Sequence, residues 1–231
     1  MEKAYSLAYR EIIKSINNNS QCLDCGANAG NTFYKLKELS GLDKGLYNGI
    51  EWDESLVFEA KRKNLSVIQG DLNKQIPFPD DHFGCVFALS LLEHLINPCS
   101  YLKECHRVLK NNGTIVILTP NISTFFTAVL ILLGKMPSSG PHPDSDLLNK
   151  TEEIIKVSQQ DIQPDTESDT PVHRHIIVFS YRVLIKYLKM IGFKDIKGYG
   201  FGYYPFPKFI QPLFEKIDPY HCHQMVIIAK K

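Results

Sequence analysis

One stretch limits what this chain can become: Gln21-Cys22-Leu23-Asp24-Cys25-Gly26-Ala27-Asn28-Ala29-Gly30-Asn31. A short apolar run enters a glycine-bearing bend and continues as helix from Asn31–Thr32. Such a strand–turn–helix sets backbone N–H groups and a helix N-terminus at the carboxyl edge of a sheet, where a nucleoside-bearing ligand can sit. Gly26 and Gly30 let the backbone turn tightly and approach a ligand with no Cβ in the way. Asn28 stands where such bends often carry another glycine, and Asn is the non-glycine residue that best tolerates a left-handed conformation. A dinucleotide site asks for G-x-G-x-x-G. Here Asn28 and Asn31 occupy the second and third glycine positions, which disfavours a dehydrogenase.

Downstream, strand and helix patterns alternate. Tyr9, Ile12, Ile13 and Ile16 recur at helical spacing, as a helix packed on the sheet edge or as a lid over the site. Leu46 to Glu51 forms a second strand that ends in an acid about 20 residues past the bend, where a carboxylate accepts the hydroxyls of a ribose. Trp52 follows, to lie against an adenine or to fill the core. Asp53 caps the next helix, Glu54 to Lys63. Leu65 to Leu72 is strand, turn and acid. Asp71 is placed to accept from an adenine amino group with Leu72 against the ring; an Asx-turn is its plainer role. Gly84 to Ser90 has the two-sided apolar character of a central parallel strand and opens into the helical turn Leu91–Leu95. Pro98 to Leu109 is a helix, Asn111-Asn112-Gly113 a turn, and Thr114 to Thr119 another buried strand. The expected class is α/β, a doubly wound, mostly parallel sheet. The 231 residues suit a single domain over 1–231.

Four features fall in the order and spacing of the class I S-adenosylmethionine-dependent methyltransferases, and the chain resembles that family, in its small-molecule branch. They are Leu23-Asp24-x-Gly26-x-Asn28-x-Gly30; Gly49-Ile50-Glu51; Pro77-Phe78-Pro79 through Leu92-Glu93-His94; and Arg107-Val108-Leu109-Lys110-Asn111-Asn112-Gly113. Phe179 to Leu184 and Ile191-Gly192-Phe193 are similar to the family's last helix and sixth strand. The chain departs from the pattern at Asn28, in place of a glycine, and at Gly84, in place of an Asp. The resemblance implies a Rossmann-like seven-stranded sheet whose last strand, within Tyr220 to Ala229, is antiparallel and inserted between the fifth and sixth. It implies S-adenosyl-L-methionine as cofactor, held by Asp24, Gly26, Asn28 and Gly30 of the bend. Glu51, Trp52, Asp71, Leu72 and Ser90 complete the cofactor set. His94 is the candidate base, since imidazole titrates near neutral pH; a helix-start histidine bonding backbone is its plainer role. The alternative is a fold that keeps the shape and binds partners without turnover. Ser90-Leu91-Leu92-Glu93 stands where an N-P-P-Y-like string would serve amino groups of bases, Gln or Asn, so a different small-molecule acceptor is expected.

Residues 121–178 are too long for a plain connection and are expected to cap the mouth of the site. Their first part, Phe125 to Leu133, is apolar. Between Met136 and Val172, eight Asp and Glu face only Lys150 and Lys156. A second apolar cluster, Phe201 to Ile210, is placed to join the first, as a wall for a hydrophobic or lipid-like acceptor or as a helix pair burying its own face. The net charge of +1 calls for no nucleic-acid partner. No apolar stretch reaches the roughly 20 residues that span a bilayer, which leaves peripheral membrane contact as the membrane role. Met1 to Tyr5 lacks signal-peptide character. Cys22 and Cys25 point to opposite faces of their strand, so the six cysteines are expected reduced, in a cytoplasmic protein. His173 with His175, and His221 with His223, share faces if extended, but no carboxylate or Cys completes a ligand set at recognisable spacing, and no metal is expected. Oligomeric state is left open.

Overall fold

A computed structural model describes residues 2–16, 20–141, 175–207 and 209–231. The long helix α1 (Glu2–Ile16) precedes β1 (Cys22–Cys25), α2 (Asn31–Ser40), β2 (Tyr47–Glu51), α3 (Glu54–Arg62) and β3 (Ser66–Gln69). Then come β4 (Phe83–Leu89), α4 (Pro98–Val108), β5 (Leu109–Pro120), α5 (Phe125–Leu132), α6 (Tyr181–Met190), β6 (Lys194–Phe201), α7 (Gln211–Ile217) and β7 (Gln224–Lys230). Local chemistry sets the ends. Asp53 accepts from the N–H groups of Ser55 and Leu56 to start α3. Thr124 does the same for α5 through Thr127, and Pro98 opens α4 where its missing N–H is not needed.

The seven strands lie in the order β3-β2-β1-β4-β5-β7-β6. β1 to β5 are parallel neighbours, and β7 runs antiparallel between β5 and β6. This is the doubly wound sheet expected, with the inserted last strand. The strand order reverses between β1 and β4, so the crevice for a ligand opens at their carboxyl ends.

Apolar residues cover both faces of the sheet. On one, Leu23, Cys25, Val86 and Ile227 pack with Tyr101 and Leu102 of α4 and Leu184 of α6. On the other, Cys22, Phe87 and Val226 pack with Ile12 of α1, Phe33 of α2 and Val57 of α3. Cys22 and Cys25 therefore do face opposite ways, and none of the six cysteines is paired. Helix α1 lies on the sheet face, not at its edge, because Ala4, Leu7, Ala8 and Ile12 form one buried stripe.

Two local expectations change. Asn111-Asn112-Gly113 is not a turn between helix and strand but an excursion inside the continuous β5. Leu109 already pairs with Phe83, and regular pairing resumes at Cys85 with Thr114, with Asn112 at φ 63° taking up the slack. Gly84 lies at the amino end of β4, where a Cβ would fall 2.4 Å from that of Ser20. Close packing fixes the glycine there, on the edge of the sheet away from the crevice.

Candidate functional site

The bend after β1 has the conformation its residues suggest. Gly26 and Gly30 have φ of 78° and 79°, and Asn28 adopts the left-handed region at 48°. The N–H groups of Gly26 and Ala27 both donate to the Ile50 carbonyl, at 2.9 and 3.0 Å, which ties the bend to β2. A side chain at Gly30 would strike Leu65, so the bend also lets α2 sit close to the chain leading into β3.

Glu51 stands at the end of β2, 6% exposed. Its Oε2 accepts from the Asn28 N–H at 2.8 Å, and its Oε1 from the N–H groups of Trp52 and Asp53 at 2.7 and 3.0 Å. A carboxylate has about four acceptor positions. Backbone donors take three, which locks the group against the bend and leaves about one for a hydroxyl. Trp52 is 57% exposed, so it does not fill the core; its indole stands beside Glu51 at the surface.

Asp24 and Asp71 both make contacts within the protein. Asp24 is 2% exposed and accepts from the Tyr47 hydroxyl at 2.6 Å. Burial pushes its carboxyl up to about 7, with Glu51 adding to the rise and hydrogen bonds from Tyr47 and Thr32 opposing it. It supports the bend from the face that α1 to α3 cover. Asp71 lies in a turn past β3, and its Oδ1 accepts from both the backbone and side-chain nitrogens of Asn73 at 3.0 and 3.1 Å. This is the Asx-turn role, and Oδ2 faces Lys74 at 3.5 Å. The Asn73 Oδ1 in turn accepts from Ile96 and Asn97, holding the loop after β4. Leu72 packs into the core.

Ser90 directly follows β4, in the left-handed region at φ 56°. Its hydroxyl lies 3.0 Å from that of Tyr5, so the N-terminal turns of α1 reach the crevice although the helix body lies on the sheet. The turn Leu92–His94 follows. His94 meets His175 edge to face, ring centroids 5.3 Å apart. Glu93 is 2% exposed, and its Oε2 accepts from the Thr119 hydroxyl at 2.8 Å. Its backbone carbonyl accepts from Ile176 and Ile177, at 2.7 and 3.3 Å, which brings the chain just past 174 onto the turn. Ligand atoms of Glu93, His94 and His175 lie within 4.8 Å of one another. Sequence spacing hides this group, because its third member comes from a distant segment.

His221 and His223 do not pair. His173 lies outside the described residues. His221 bonds Asp218 at 2.7 Å, whereas burial lowers His223 to about 4 and leaves both of its ring nitrogens without a hydrogen bond. The two apolar clusters do meet: the Phe125 ring packs on Phe206 and Phe214 and stacks on His221, with centroids 5.5, 6.1 and 4.6 Å away. Outside this contact α5 stays apolar, with Leu132 85% exposed and Val129 and Ile131 also at the surface, so the pair does not bury its own face. The acidic stretch 142–172, the greater part of the expected cap, lies outside the described residues.

Arg107 has a role the motif alone did not reveal. It donates to the carbonyls of Ile76 and Phe78 and to Glu104 and Asp80, pinning the proline-punctuated loop to α4. Away from the crevice, a hollow of about 740 Å³ opens at the amino edge of the sheet, lined by Lys14, Gly84, Lys110, Asn112, Lys197 and Lys230. Among the described residues no helix is long and apolar enough to cross a membrane.

Residues 23–117 match the family model described as a methyltransferase domain. The chain is 31% identical over 78 residues to a probable S-adenosylmethionine-dependent methyltransferase of Mycobacterium tuberculosis, covering 33% of this chain and 28% of that protein. It is 28% identical over 137 residues to the demethylmenaquinone methyltransferase of Staphylococcus epidermidis, covering 53% of this chain and 56% of that one. The chain thus spans less than two thirds of either relative. In shape it is similar to a Thermotoga maritima structure described as an S-adenosylmethionine-dependent methyltransferase, possible histamine N-methyltransferase. That likeness has TM-score 0.56 and 14% identity over 99% of this chain and 91% of the other, and at this identity it concerns the fold.

Proposed function

We propose that this chain, whose residues 23–117 match the methyltransferase domain model, is a class I S-adenosylmethionine-dependent methyltransferase that moves a methyl group to a small, apolar acceptor. The observation that carries the reading is the Glu51 carboxylate, buried at the crevice and locked by the Asn28 N–H of the glycine bend. A ribose hydroxyl donates to its remaining acceptor position, Trp52 offers an exposed ring to the base, and Ser90 borders the reacting end.

S-adenosylmethionine supplies a methyl carbon already activated on a sulfonium. The acceptor's lone pair forms the new bond to that carbon as the carbon–sulfur bond breaks and its electron pair returns to sulfur. The protein's work is to hold the two reactants in line and keep water out, worth about 7–11 kcal/mol. A base adds about 10²–10⁴-fold, or roughly 3–5 kcal/mol, so positioning dominates. His94 is the base in this reading, placed at the crevice by the turn after β4. The wall built on Phe125, Phe206 and Phe214 favours an apolar acceptor, in keeping with a relative named for a quinone. Residues 121–178 act as the cap of a single domain over 1–231. The apolar outer surface of α5 suits peripheral membrane contact, and five buried, unpaired cysteines of six suit a reducing, cytoplasmic setting.

Calorimetry with S-adenosylhomocysteine and with NAD tests the reading, alongside transfer of labelled methyl to pooled extracts. The expected outcome is saturable binding of the sulfur nucleoside and none of NAD. Glu51→Gln should weaken that binding about 10–100-fold, the worth of one hydrogen bond to a charged group. Tight binding with no acceptor methylated would turn the reading to a binding protein.

A further inference from the structure

We propose that Glu93, His94 and His175 bind one divalent transition-metal ion at the crevice, and that this ion holds the acceptor by an ionisable hydroxyl. The second half rests on the methyl-transfer reading above; the first stands on the geometry.

Each of the three residues offers one ligand atom, and the atoms lie within 4.8 Å of one another. Metal–ligand bonds of about 2.0–2.2 Å close that spread with small side-chain rotations. Metal-ligating side chains are characteristically held from behind by a second hydrogen bond, and two of these are. The Thr119 hydroxyl donates to Glu93 Oε2 at 2.8 Å. His175 Nδ1 faces the Ser139 carbonyl at 2.5 Å; a ring nitrogen against a carbonyl carries the proton, so Nε2 keeps the lone pair a metal needs. The main chain completes the arrangement, because the Ile176 and Ile177 N–H groups on the Glu93 carbonyl deliver His175 to the other two.

The donor set selects the ion. Two imidazoles and one carboxylate suit zinc, manganese, iron(II) or cobalt, and are poor for calcium or magnesium, which favour oxygen cages. Three protein ligands leave coordination positions open, as catalytic sites do. A hydroxyl on such an ion gives up its proton to solvent more readily, so with the ion bound His94 serves as a ligand and the base role given to it above passes to the ion. The oxygen lone pair so exposed forms the bond to the methyl carbon while the carbon–sulfur bond breaks toward sulfur. The acceptor class is then a compound with an ionisable hydroxyl, and the methyl goes to oxygen.

The test uses the full chain, stripped with chelator, dialysed and titrated with Co²⁺, read by visible d–d absorption and by calorimetry. One cobalt per chain is expected. His175→Ala and Glu93→Gln should each weaken it more than about tenfold, and Thr119→Val about 10–100-fold, the usual effect of losing an outer-shell partner. His221→Ala should leave it unchanged. S-adenosylhomocysteine binding on the same variants reports that they are folded, and His175→Gln replaces His175→Ala if the latter is not. No cobalt bound by the wild type, or undiminished cobalt in a folded His175 variant, overturns the site. Cobalt bound through His175 in a protein that takes no sulfur nucleoside keeps the ion site and removes the methyl-transfer reading; the converse removes the ion site alone.

Discussion

Asp24 is the residue whose chemistry most depends on where the fold puts it. Burial pushes its carboxyl up to about 7, whereas an unfolded chain holds it near 3.9. The native state therefore keeps a proton that the unfolded state has lost between those values. Its contribution to stability is full below about pH 4, declines as pH rises toward 7, and is flat above. Over pH 5 to 8 the wild type should lose about 2–3 kcal/mol from this group, and Asp24→Asn should remove that decline. Urea unfolding of both proteins at the two pH values measures it; parallel slopes would mean that the carboxylate stays charged at neutral pH. Single residues also mark the limits of what sequence discloses. The left-handed Asn28 follows from residue type alone. That Trp52 is exposed depends on which neighbours arrive, and spacing does not carry that, whereas the turn Asp71 closes on Asn73 is a local one that its residue type already offers.

At the scale of elements, the bend and α2 act as one unit. Gly30 begins the helix and Gly41 ends it, both in the left-handed region at φ 79° and 71°. A Cβ at Gly30 would fall 2.2 Å from Leu65 Cδ1, while one at Gly41 meets nothing within 4 Å. Gly41→Ala should cost only the backbone strain, about 1–2 kcal/mol. Gly30→Ala should add about 1–3 kcal/mol of overpacking. The difference between their unfolding free energies isolates the contact of helix with the β3 approach, and equal values would show that Leu65 yields freely. The alternation of strands and helices was legible because each buried strand is a near-continuous apolar run between turn signals. The extension of β5 through Asn111-Asn112-Gly113 was not, since a strand that bulges has the composition of a turn. The Glu93–His94–His175 group was likewise hidden: two of its three members lie in a recognised motif, and the third is brought to them by backbone bonds from the far end of residues 121–178.

For the whole molecule, the sheet order places every cofactor candidate along one edge and the lysine-lined hollow along the other. Periodicity alone would not have ordered the strands; the order came from the resemblance, and the antiparallel register of β7 agrees with it. A nucleoside that bridges the ends of β1 and β2 binds only the folded chain. At about 100 times its dissociation constant, S-adenosylhomocysteine should raise the unfolding free energy by about 2.7 kcal/mol, with no change from NAD, as read from urea midpoints. A shift with NAD instead would return the chain to the dehydrogenase class.

The bridge between the Tyr5 and Ser90 hydroxyls joins the first turns of the chain to the left-handed residue just past its fourth strand. The serine hydroxyl offers one donor and two acceptor positions, so a guest that displaces the tyrosine frees the first turn of the opening helix, and one that shares the oxygen ties guest, strand end and helix together.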